Sequence, residues 1–197
     1  MPFAPVVARA ALHFGEEPCI SGSRGSGTIF FSGCSLRCVF CQNYRISTEN
    51  FGQEVSVFRL REIYDELIAQ GAHNINLVNP THFVRAIAQS LKEPLPVPVI
   101  YNCGGYESVD SLRMLEGKVQ IYLPDFKYVD NQLAIRYSGT ADYFEQAGAA
   151  IREMVRQTGP YRLDQDGMLC SGILIRHLIL PGQIQNSKQV IDWISDC

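Results

Sequence analysis

Thr28-Ile-Phe-Phe31, Ser32-Gly33 and then Cys34-Ser-Leu-Arg-Cys38-Val-Phe-Cys41 form one continuous stretch: a β-branched and aromatic run that closes in small residues and opens onto three crowded cysteines. The run has the length and composition of a buried strand, so it predicts a strand over 28–31 whose end delivers the cysteines on a loop. Three thiols spaced four and three residues apart can fold around one small metal cluster and leave it one protein ligand short. Iron–sulfur clusters are held by cysteine thiolates and normally take four, so such a cluster keeps an iron free for an exogenous ligand. A zinc site borrowing a distant Cys or His is a rival, although zinc motifs usually contain paired C-x2-C units and here only Cys38 and Cys41 are so spaced. Ordinary buried thiols are another.

Outward from this loop, strand and helix signals alternate. Residues 15–28 are rich in Gly and Ser, and with the residues before them they predict a lead-in loop over 1–27. Apolar positions recur at helical spacing over 59–70 and 81–91, and Gly71 stands where the first of these helices stops. Strands are predicted at 74–78, 99–101 and 119–123, a short helix at 109–115 and a longer one at 141–157. Ile173 to Leu180 reads as a near-continuous apolar strand covered on both faces, followed by a closing helix over 187–194. Five strands separated by helices predict an α/β fold with right-handed crossovers and a parallel sheet with outer helices.

The 197 residues favour one domain over the whole chain, 1–197, and 46 % hydrophobic with 19 % charged residues is an ordinary globular composition with enough apolar surface for a core. A net charge of -3 disfavours general binding to nucleic acid, whose phosphates call for a basic surface. The longest apolar candidate, Ile173–Leu180, is interrupted by Arg176 and His177 and is far short of the roughly 20 residues of a membrane span, so no membrane partner is expected. Met1-Pro-Phe-Ala-Pro-Val-Val-Ala-Arg9 shows no basic leader before an apolar stretch, so no secretory signal is expected. Seven cysteines, three crowded together and Cys19, Cys103, Cys170 and Cys197 scattered, fit a reducing cytoplasmic setting better than a disulfide framework.

Cys34, Cys38, Phe40 and Cys41, following the first predicted strand, match the C-x3-C-x-aromatic-C loop of the radical S-adenosylmethionine (SAM) superfamily, which the chain resembles. More narrowly, Gly27 through Asn43 is similar to a branch of uncharacterised proteins related to pyruvate formate-lyase activating enzyme, and the similarity runs from about Ala8 to the C-terminus. The resemblance implies a partial (β/α) barrel, with the five predicted strands one short of the family's six and an exposed strand edge. It also implies a fragment or truncated product. The cofactors implied are a [4Fe-4S] cluster held by Cys34, Cys38 and Cys41 and SAM chelated by its free iron. Their implied chemistry is one-electron cleavage of SAM to methionine and a 5′-deoxyadenosyl radical that abstracts hydrogen. By the same resemblance the protein is an oxidoreductase like a glycyl-radical-enzyme activase, with a glycyl radical enzyme as protein substrate and a flavodoxin- or ferredoxin-like electron donor. A different protein or small-molecule substrate, or a truncated iron–sulfur binding module without catalysis, are the alternatives.

The same resemblance marks candidate cofactor contacts. Phe40 backs the adenine side. Where the family has a Gly-Gly-Glu-like segment for the SAM amino group, this chain reads Val78-Asn79-Pro80-Thr81; the acid is missing, and Thr81 is either its substitute or a helix N-cap. Asn102, in Tyr101-Asn102-Cys103-Gly104-Gly105, either approaches SAM or belongs to a tight turn. Asp125 and Lys127 share one face of a strand end and resemble the family's Asp-x-Lys contact to the methionyl end, or form a surface ion pair. A His expected seven residues after the Lys is Ala134 here, which departs from the activase pattern, whereas Ser138-Gly139 keeps it. His177 lies in the segment resembling the last SAM-contacting strand, or is a satisfied core histidine.

Overall fold

Eight strands form one sheet in the order β3-β1-β2-β4-β5-β6-β8-β7. They are β1 (Val6–His13), β2 (Ser26–Phe31), β3 (Gln53–Glu54), β4 (Ile75–Val78), β5 (Val99–Cys103), β6 (Ile121–Pro124), β7 (Arg162–Leu163) and β8 (Leu169–Ile173) in a computed structural model that describes residues 4–197. The five inner strands β2, β4, β5, β6 and β8 pair in parallel, and β1, β3 and β7 add antiparallel flanks. The number of parallel strands is the five predicted, and the first four lie where the alternation of apolar runs and helical periods puts them. Their crossovers carry α3 (Val57–Ala69), α4 (Val84–Ser90), α5 (Val109–Arg113) and α7 (Tyr143–Thr158).

Strand periodicity sorts the two faces of this sheet. One set, Ile29, Phe31, Ile75, Leu77, Val99, Tyr101 and Tyr122, packs under Leu60, Tyr64, Leu67, Val84, Ile87 and Met154 of the helices. Fully burying each large side chain there contributes roughly 1.5–3 kcal/mol. The opposite set includes Thr28, Asn76, Ile100, Asn102, Ile121 and Leu123, and it lines the inside of the curved sheet. Here Ile20 of α1 (Pro18–Ser21) joins Ile100, Ile121, Leu123 and Leu169 in a small cluster. The Asn74 side-chain amide donates to the Ile20 carbonyl at 2.7 Å, which fixes α1 as a plug below the N-terminal end of β4. The inner face thus becomes polar toward the C-terminal strand ends, where barrel folds place their chemistry.

The structure corrects three expectations. The lead-in segment is not a loop: β1 and α1 occupy it, and β2 begins at Ser26, while residues 1–3 of that segment lie outside the described residues. β1 escapes a periodicity reading because it is a flank strand with no fully buried residue and a register shift between Val7 and Arg9. The last parallel strand is Leu169–Ile173, not 173–180, because the small residues Ser171 and Gly172 fill the buried sheet positions. Beyond it the chain keeps a ragged ladder with β6, Leu174 N–H to the Tyr122 carbonyl and Arg176 N–H to the Pro124 carbonyl, both at 2.9 Å, while Leu178 and Ile179 emerge exposed. The edge expected to be open is partly covered by β7, and α6 (Asn131–Ser138) and α2 (Tyr44–Ser47) add to the predicted helices.

Candidate functional site

The cysteine segment leaves β2 as an irregular loop at the C-terminal end of the strand. Three tethers shape it. Gly33 N–H donates to the Ile46 carbonyl at 3.0 Å, and Leu36, 3 % exposed, anchors the loop in a second core with Phe126, Tyr128, Ala134 and Tyr143. Arg37 and Val39 N–H groups donate to the Ser138 and Tyr137 carbonyls, each at 2.9 Å, so the loop lies along the last turn of α6. Phe40 is half-buried against that same core.

All three cysteines are free and half-buried, and each sulfur has a polar neighbour. Cys34 Sγ accepts from Leu36 N–H at 3.4 Å, Cys38 Sγ lies 2.9 Å from the Ser138 hydroxyl, and Cys41 Sγ lies 3.4 Å from the Ser47 hydroxyl. Burial pushes the Cys34 and Cys38 thiols up, opposed at Cys34 by the Leu36 N–H and the Asn79 side chain and at Cys38 by Ser138 and the Lys127 ammonium. Each of these two thiols is also raised by the nearby Cys41 sulfur. Among the described residues no three His, Cys, Asp or Glu side chains converge as ligands of a single metal ion. An iron–sulfur cubane asks for a different arrangement, one thiolate per iron. Three separated soft donors with hydrogen bonds to sulfur, and no fourth, fit that group.

Around the loop the remaining candidates form a connected arc. Asn79 has φ 61, a left-handed conformation that Asn tolerates, and this turns its side-chain amide onto the Gly33 carbonyl at 2.5 Å. Its backbone N–H donates to the Asn102 carbonyl at 2.8 Å. The Asn102 side-chain oxygen accepts from Arg176 at 2.6 Å, and Arg176 Nε lies 3.4 Å from Asp125 Oδ1, an ion-pair distance without hydrogen-bond alignment. Asp125 in turn pairs with Lys127, whose side chain is 11 % exposed. This is a half-buried pair that reaches toward Cys38 and not a solvated surface pair. Tyr143 locks the backbone beneath it: its hydroxyl accepts from Lys127 N–H at 3.1 Å and lies 2.8 and 2.9 Å from the Gly104 and Asp125 carbonyls.

Two candidates are engaged elsewhere. Both ring nitrogens of His177 are committed, Nδ1 with the Phe126 carbonyl at 2.7 Å and Nε2 with the Ser187 hydroxyl at 2.9 Å, tying α8 (Ile184–Ser195) to the end of β6. Thr81 opens a 3-10 turn, Thr81–Phe83, without capping it, and donates its hydroxyl proton to Glu107 at 2.7 Å. Glu16 and Glu107 are polar residues of this region that sequence reasoning did not select, while Arg176 and Ser138 were noted only as parts of segments resembling the family and given no role. Arg176 had a signal, a charge inside an apolar run; Ser138 and Glu107 owe their place to contacts across 100 and 26 residues.

No family model matches the chain. The uncharacterized protein MJ0674 of Methanocaldococcus jannaschii is 29 % identical over 194 residues, 93 % of this chain and 52 % of the relative, so the chain spans about half the length of that curated relative. Among solved structures, Streptococcus suis SuiB superposes with a TM-score of 0.56 at 8 % identity, over 87 % of this chain and 36 % of SuiB. SuiB bound to precursor peptide SuiA gives 0.57 at 8 % identity, over 83 % and 35 %. The likeness is one of fold, and it bears out the mostly parallel α/β architecture with outer helices. Among the described residues no helix is long and apolar enough to cross a membrane.

Proposed function

We propose that the protein is a radical SAM enzyme that holds a [4Fe-4S] cluster on Cys34, Cys38 and Cys41 and binds SAM across the C-terminal strand ends. The observation that carries this reading is the placement of three free, hydrogen-bonded thiols against the arc of Asn79, Asn102, Arg176, Asp125 and Lys127, within a fold shared with SuiB. When bound, cluster and SAM supply one-electron cleavage of the sulfonium to methionine and a 5′-deoxyadenosyl radical, with the electron drawn from a flavodoxin- or ferredoxin-like donor.

The chain's own residues bind and orient. In this reading Asp125 and Lys127 meet the two charged ends of the methionyl group, and Arg176 keeps Asp125 and Asn102 in register. Phe40 backs the adenine, and the second core beneath the loop excludes water from the iron side. His177 in this scheme positions the Phe126 carbonyl, and through it the Asp125–Lys127 turn.

The substrate belongs to a protein or peptide. A glycyl-radical-enzyme activase is one version; a peptide-modifying enzyme is the other, favoured by Ala134 at the position where activases keep a His and by the precursor peptide bound to SuiB. A cytoplasmic setting follows from the oxygen-sensitive cluster. The experiment is anaerobic reconstitution with iron and sulfide, dithionite reduction with SAM, and detection of 5′-deoxyadenosine. Production that disappears in Cys38→Ala is the expected result. A bound cluster without deoxyadenosine leaves only an iron–sulfur binding module, and zinc in place of iron sinks the reading.

A further inference from the structure

Glu107, in the loop after β5, is 2 % exposed, and its neighbours are neutral donors. Thr81 Oγ1 donates to Oε1 at 2.7 Å and Tyr101 Oη donates to Oε2 at 2.8 Å, with the Cys103 thiol a further partner. Burial pushes its carboxyl up to about 7, so near neutral pH the acid and the carboxylate coexist, and the carboxylate has no cation to offset it. An apolar side chain in its place would strand the Thr81 hydroxyl and the buried Tyr101 hydroxyl, so the acid acts directly on its neighbour Thr81.

That neighbour stands at the cysteine loop. Thr81 follows Asn79 by two residues, and Asn79 holds the Gly33 carbonyl and lends a hydrogen bond to the Cys34 sulfur. The ring of His82, next in sequence, lies against Gly33. Thr81 as a residue is half-buried. A hydroxyl has one proton and two acceptor positions. Once the proton is committed to Glu107, the Thr81 oxygen offers only lone pairs, and the ionised form of Glu107 sets a negative charge behind it.

We propose that Glu107 is a positioning acid for the amino group of SAM: it takes the Thr81 hydroxyl proton and makes the Thr81 oxygen a charge-backed acceptor for an N–H of that amine. This deepens the radical SAM reading and rests on it. It also accounts for the absence of an acid in Val78-Asn79-Pro80-Thr81, since the carboxylate arrives from 26 residues downstream and acts through the threonine.

The test is anaerobic calorimetry on the reconstituted protein with two probes, SAM and 5′-methylthioadenosine, which shares the nucleoside and sulfur but lacks the amino acid. Glu107→Gln is expected to weaken SAM about tenfold while leaving methylthioadenosine affinity unchanged. Thr81→Val is expected to lose SAM affinity similarly, and the double variant to be no weaker than either single one, because the two residues act as one unit. SAM binding by Glu107→Gln equal to that of the wild type overturns the proposal, as does parallel loss of both probes, which marks a purely structural role. Failure of the cluster-loaded wild type to bind SAM at all overturns the radical SAM reading and this inference together, an outcome distinct from an indifferent variant.

Discussion

At the residue scale, Glu107 makes a prediction that needs no cofactor. Its carboxyl is raised from 4.5 to about 7 by burial, so between those values the folded chain keeps a proton that the unfolded chain has given up. The native state binds more protons, and stability from this group is complete below about 4.5 and is lost as pH rises through about 7. The loss amounts to roughly 3 kcal/mol at full burial. Glu107→Gln removes it. Urea midpoints measured from pH 5 to 8 should therefore fall more steeply for the wild type than for the variant, with the variant the more stable at pH 8; parallel curves would contradict the burial argument. The crowding of the three cysteines on one loop was legible from spacing, and so was the shared strand face of Asp125 and Lys127. Glu107 was not, because nothing in Tyr106-Glu107-Ser108 distinguishes a solvated loop acid from one folded back onto Thr81 and Tyr101. Arg176 shows the complementary limit: a charge in an apolar run is visible, but its choice of Asn102 and Asp125 depends on which strands are neighbours.

At the element scale, the site is held by helices more than by strands. Tyr143, the first residue of α7, is fully buried, and its hydroxyl serves Lys127 N–H and the Gly104 and Asp125 carbonyls. Tyr143→Phe strips a partner from these buried backbone groups and should cost about 1–3 kcal/mol. Hydrogen exchange at the Lys127 amide should quicken beyond what that global loss explains; unchanged relative protection would show that the hydroxyl does not hold this turn. Gly105 is a harsher case. It has φ 82, and a Cβ would overlap the Asp125 carbonyl oxygen and press on the Tyr143 hydroxyl, so Gly105→Ala should destabilise by more than Tyr143→Phe in the same denaturation assay. The long helices α3 and α7 were readable because their apolar positions repeat over three turns or more. α6 was passed over although cap signals bracket it: the Asp130 side chain accepts from Gln132 N–H at 2.8 Å, and Gly139 closes it at φ 75. Its eight residues bury only Ala134 and Ser138, too short a stripe to announce a period. Yet it is the helix on which the cysteine loop lies.

At the scale of the whole molecule, the curved sheet is not closed by backbone hydrogen bonds, since β3 and β7 are its two edges. What spans its mouth is polar. Glu16 follows β1, its side chain is 10 % exposed, and it accepts from Arg176 at 3.2 Å and from the Asn76 amide at 3.2 Å. Arg176 follows β8 and reaches Asn102 and Asp125 with its other nitrogens, so one guanidinium links elements at the two flanks of the parallel sheet with the strands between them. Arg176→Met keeps much of the stem's packing but leaves the Glu16 carboxylate with only an amide. For a fully buried pair such a break costs about 3–5 kcal/mol; because Arg176 is 33 % exposed and solvent screens part of the charge, about 2 kcal/mol is the expected loss. Adding Glu16→Gln should recover part of it, since the orphaned charge goes with it, whereas Glu16→Gln alone should destabilise less than Arg176→Met because Arg176 keeps Asn102 and Asp125. A double-mutant cycle on urea midpoints measures this directly. Strict additivity would mean that the two flanks are held independently, and that the arc of residues facing the cysteine loop is not mechanically tied to the plug below it.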